Sequence, residues 1–83
     1  MAMSYAYRPD VLEELARHGL QPLPTTGPQL LRDAVRDLYL YEIRRLRAAR
    51  LKGAIPKNRY VDHVIELRRR YPLLSLPIER WQV

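Results

Sequence analysis

A chain of 83 residues, 47% hydrophobic and 29% charged, has room for one small globular domain with a thin core, and its composition is not that of a disordered segment. It contains no cysteine, which excludes a disulfide framework, a thiolate nucleophile and any sulfur-ligated metal centre, and makes the cytoplasm the expected compartment. The net charge of +6 is unevenly placed: residues 1–43 hold four arginines against six acids, whereas residues 44–83 hold eleven lysines and arginines against three acids.

Residues 1–8 precede the first helix signal and are expected to form a flexible N-terminal tail. They show no basic start followed by an apolar run, and nowhere do about 18 apolar residues occur together, so neither export nor membrane spanning is expected. Pro9 suits a first helical turn, Asp10, Glu13 and Glu14 complement the positive end of the helix, and Gly19 fits the left-handed position after its last turn. A short helix over residues 9–18 follows, with Val11, Leu12, Leu15 and Ala16 as its apolar stripe. His18, at its end, is expected to help satisfy the last carbonyls.

Pro22 and Pro24 hold the next stretch extended, because a proline disfavours helical geometry in the residue before it. Thr26 or Gly27 can cap a second helix with Pro28 in its first turn, and no glycine or proline interrupts the chain from there to Lys52. Gly53 ends this helix. After the short link Ala54–Pro56, a third periodic stretch covers residues 57–70 and stops before Pro72. So short a link folds the third helix back on the second. Ser75, Leu76 and Pro77 resemble the cap and first turn of a brief helical hook that returns Ile78 and Trp81 to the body. Strand readings of residues 38–41 and 61–65 lack alternation and are set aside.

The expected architecture is therefore all-α in a single domain, 1–83: a long antiparallel hairpin (residues 28–52 and 57–70), a short N-terminal helix (9–18) and a C-terminal helical hook. Around helix two, Leu31, Val35, Leu38, Tyr39, Leu46 and Ala49 share a face, and Glu42 falls in its middle. On helix three the stripe is Tyr60, Val61, Val64, Leu67 and Tyr71, with Arg68 inside the arc. A link centred on residues 54 and 55 sets Glu42 opposite Arg68, and a guanidinium can meet a buried carboxylate with two parallel hydrogen bonds. The competing arrangement pairs Glu42 with Arg45 on its own helix and lets Arg68 reach water.

Catalysis finds little material. The only serines are Ser4 and Ser75, the only histidines His18 and His63, and the three glycines stand too far apart for a phosphate loop. No catalytic residue, cofactor site or metal site is assigned, and His63 reads as a solvated surface residue. Arg44, Arg45, Arg47, Arg50, Lys52, Lys57 and Arg59 bracket the hairpin tip, where they can meet a partner protein or phosphate, or simply face solvent. A helix-turn-helix reading fails, since Arg59 and Asp62 occupy positions that should be apolar. Helix two keeps too many acids among its bases to lie in a membrane surface. Leu30, Tyr41 and Ala48 form a second, weaker stripe that either helix one or a second copy of the chain should cover. The leading expectation is a non-enzymatic adaptor that docks on a partner protein through its Arg- and Tyr-rich hairpin. The alternative is a nucleic-acid-binding protein without sequence specificity.

Overall fold

The computed structural model describes residues 4–83. Three α-helices run in chain order, α1 (Pro9–Arg17), α2 (Pro28–Leu51) and α3 (Lys57–Arg69), followed by 3₁₀ turns at Pro72–Ser75 and Ile78–Arg80. Their limits fall within one residue of those expected, because proline and glycine set them. Pro9 and Pro28 open α1 and α2, whose first N–H groups have no intrahelical partner to lose. Gly19 and Gly53 close the same two helices at φ of 76° and 80°. At the end of α2, the Gly53 N–H donates to the Arg50 carbonyl and the Ala54 N–H to Ala49. At the end of α1, Gly19 and Leu20 donate likewise to Ala16 and Leu15. These paired bonds satisfy carbonyls that a helix end otherwise leaves open.

The hook differs from the expected single turn. It begins at Pro72 and consists of two 3₁₀ turns, with Ser75 inside the first. Leu76, between them, is extended at φ −88° and ψ 123°, the geometry that Pro77 imposes on its predecessor.

Residues 5–8, expected as part of a flexible tail, are instead held by the backbone; residues 1–3 of that tail lie outside the described residues. The Tyr5 N–H donates to the Pro24 carbonyl at 2.8 Å, Arg8 to Trp81 at 3.0 Å, and Val83 back to Ala6 at 2.8 Å. Tyr7 and Gln82 form an isolated antiparallel bridge. The Tyr7 hydroxyl donates to the Thr26 carbonyl, and burial raises its pKa above the ordinary value. Extended backbone with donors on one edge found acceptors, which periodicity in side chains does not reveal.

The core gathers Tyr7, Val11 and Leu15 with Leu31 and Val35 of α2, Leu67 of α3, and Tyr71, Leu73 and Trp81. It therefore lies at one end of the molecule, which measures 53 × 18 × 17 Å. The radius of gyration is 15.5 Å, against about 12 Å for a compact chain of this length. No residue of α2 after Val35 is buried, and Leu67 alone is buried in α3. The rest of these two helices forms an arm beyond the core. In the arm, the Arg50 guanidinium lies 5.2 Å over the Tyr60 ring, while Tyr39 meets Tyr71 edge-on at 5.3 Å. No described helix is long and apolar enough to cross a membrane.

Candidate functional site

Where the arm meets the core, α1, α2 and the end of α3 converge on Tyr71. The His18 ring stacks on it at 4.3 Å with planes 14° apart, Tyr39 meets it edge-on, and its hydroxyl donates to a Glu42 carboxylate oxygen. Beside this joint runs a groove of about 390 Å³, lined by Glu14, Arg17, His18, Glu42, Arg69, Arg70, Tyr71 and Pro72. His18 does not cap the helix through its side chain: the imidazole serves as a flat wall for Tyr71, and its buried Nε2 atom has no hydrogen-bond partner.

The expected Glu42–Arg68 pair is not formed. Glu42 is half-buried and bonded to Tyr71, and neither Arg68 nor Arg45 lies within ion-pair distance of it. The reason is azimuthal. Counting Val61 as inward widened the α3 stripe until it enclosed Arg68, yet Val61 is 61% exposed and Arg68 is exposed beside it on the flank. The inward face of α3 is Tyr60, Val64 and Leu67, continued by Tyr71. Leu12 and Ala16 of α1 and Leu38 of α2 are exposed as well, so each helix buries a narrower arc than expected. Ile43, left out of the α2 stripe, packs against the core.

Burial, the hydrogen bond to Glu42 and that carboxylate's charge push the Tyr71 hydroxyl up to about 12, with Arg70 pulling slightly the other way. The hydroxyl stays protonated near neutrality and its proton is engaged by Glu42, so it offers no base to a substrate in the groove. An unfolded chain ionises this tyrosine near 10.0. Above that pH the unfolded state binds fewer protons than the folded one, so stability that is whole below pH 10 is lost as pH rises towards the folded value. Urea unfolding should therefore show wild type losing of the order of 1–2 kcal/mol more than Tyr71→Phe between pH 10 and 12, discounted for solvent screening. Parallel losses in both proteins would mean that the hydroxyl is not held in this way.

The seven cations expected at the tip do gather on the arm. Arg44, Arg45, Arg47, Lys52, Lys57 and Arg59 are exposed, and Arg50 is half-buried over Tyr60. Among the described residues, none of the seven reaches a carboxylate, whereas Arg8, Arg17, Arg36 and Arg69 all do. The first turn of α3 contains Lys57 and Arg59 and no acid, so its positive end carries like charge, an arrangement that is unfavourable by about 0.3–1 kcal/mol per charge in isolation. Large apolar side chains stand exposed among these cations: Leu51 is 76% exposed, and Val61 and Ile65 form a short stripe on α3. Leu30, Tyr41 and Ala48 are also uncovered, since α1 packs elsewhere. His63 is exposed, and no group of three or more His, Asp or Glu side chains suited to a metal ion gathers among the described residues.

Comparison with protein-family models, curated proteins and solved structures finds no match for this chain, so its reading rests on the arm and the groove themselves.

Proposed function

We propose that the chain is a non-enzymatic adaptor in which α2 and α3 act as an antiparallel hairpin, docking its tip on an acidic face of a partner protein. What carries this reading is the mixture along the arm: cations at the tip with no carboxylate partner, and exposed Leu51, Val61 and Ile65 on the same two helices. Like charge around the start of α3 is a cost to the free protein that an acidic partner would reverse. Exposed apolar side chains on the same arm as unpaired cations suit a protein surface, where such side chains anchor and charges steer, better than a phosphate backbone, which offers them nothing to bury against.

The test compares capture by immobilised wild type, by Val61→Ser with Ile65→Ser, and by Lys52→Gln with Lys57→Gln and Arg59→Gln, from cell extract with and without nuclease. A protein retained after nuclease, and lost with both sets of substitutions, is the expected result. Retention of nucleic acid that is insensitive to the apolar changes, with affinity falling steeply as salt rises, would replace the adaptor by a phosphate binder.

A further inference from the structure

The outward face of α2 is ordered in a way that docking at the tip does not use. At about 100° per residue, Leu30, Asp37, Tyr41, Arg44 and Ala48 fall within about 60° of one another, with Asp33, Leu40 and Leu51 along one edge. Val35, Tyr39 and Leu46, which face the core and α3, lie on the opposite side of the helix. Leu30 is 66% and Tyr41 59% exposed, so the stripe is open over the length of the helix. Along the stripe and its edge Asp33 and Asp37 stand in the first half and Arg44 and Arg47 in the second, with Arg36 flanking the two aspartates.

We infer that this face is the interface of a homodimer in which two copies of α2 pack antiparallel about a two-fold axis between Leu40 and Tyr41. In that register Asp37 meets Arg44 of the second copy, and the symmetry repeats the pair. Asp33 lies beside Arg47 and Ala48 of the other chain, Leu30 covers Leu51, and Leu40 and Tyr41 each meet their own counterpart at the axis. A two-fold interface needs a self-complementary surface, and acids in one half of a helix with bases in the other provide it only when the helices run in opposite directions. Parallel pairing would set Asp37 on Asp37 and Arg44 on Arg44.

The aspartates are free to re-pair at little cost. Their contacts to Arg36 are long, 3.6 Å from Asp33 and 3.9 Å from Asp37, and exposed, and the Gln29 amide that donates to Asp33 at 3.0 Å is exposed too, so these bonds contribute little. Contact along the 24 residues of α2, about 36 Å, puts α3 behind each copy and gives a four-helix layer of the length usual in bundles. The tip cations Lys52, Lys57 and Arg59 and the Val61–Ile65 stripe take no part and stay open to a partner, while Leu51, Arg44 and Arg47 are common to the two surfaces.

Charge reversal tests the pairing by equilibrium sedimentation of the full chain, with helical content followed by circular dichroism. Wild type is expected at the mass of two chains. Asp37→Arg and Arg44→Asp singly place like charges together twice per dimer, and each should weaken association about 10-fold or more. The double variant exchanges the two signs and should return to within about threefold of wild type, which general loss of structure could not produce. Because the chain has no cysteine, single cysteines report the register. Under diamide oxidation Leu40→Cys should cross-link to its own counterpart at least about 10-fold faster than Leu51→Cys, whose two copies lie far apart. A monomeric wild type, a double variant as dissociated as the single ones, or faster cross-linking at residue 51 would each overturn the inference.

Discussion

Trp81→Ala is expected to remove about 3–5 kcal/mol of stability and leave the protein largely unfolded or nearly so at room temperature. Among the described residues Trp81 is the largest of the fully buried side chains, at 0% exposure, in a core of nine. Its loss removes the indole surface, opens a cavity in the core, and frees the Leu76 carbonyl that accepts the indole N–H at 3.2 Å. The Trp81 carbonyl also accepts the Arg8 N–H, so the turn that carries the indole holds the N-terminal segment in place. Domains of this size are stabilised by only about 4–12 kcal/mol in total, so one side chain accounts for much of it. Urea titration followed by circular dichroism measures the change. A loss below about 1 kcal/mol would mean that the core is centred elsewhere.

Leu67→Ala should cost about 2–5 kcal/mol and have its effect mainly in one helix. Leu67 is the one buried residue of α3; every other position of that helix is exposed or half-buried. Without it, Tyr60 under Arg50 and Val64 are left to keep α3 on α2, and a 13-residue helix has little stability of its own. Amide exchange should therefore speed up across Lys57–Arg69 before it does in α1. Leu23→Ala removes a side chain of equal size that is 67% exposed in the connector before α2, and should stay within about 0.5 kcal/mol of wild type. Equal losses from the two substitutions would show that Leu67 is not the contact that holds α3 on α2.

The helices were legible because their ends are written in proline and glycine, which act through backbone geometry whatever the tertiary context. Trp81 was legible too, since an indole after a proline-led turn has a strong reason to leave water. Azimuth was not. Val61 and Leu67 are equally apolar, and nothing in residue type says which one faces α2, so a stripe drawn through both reached Arg68. Charge matching points Glu42 towards a cation and is silent on neutral donors, although a phenolic O–H such as that of Tyr71 serves a carboxylate as well. The docking of residues 5–8 rests on main-chain groups, which every sequence contains and none advertises. At the tip, the clustering of cations was plain from spacing alone; that they lack carboxylate partners required side-chain positions.

The clasp between the two ends of the described chain has a kinetic consequence. The Arg8 guanidinium bonds the Arg80 carbonyl across 72 positions of sequence, and closing so long a loop costs about 4 kcal/mol of chain entropy before any contact within it is made. Helices α2 and α3 can meet early, being neighbours, but the nucleus that holds Trp81 must wait for distant partners. Refolding should accordingly be slower than is usual for a small helical protein, and transient opening should begin by unzipping the clasp while the arm stays wound.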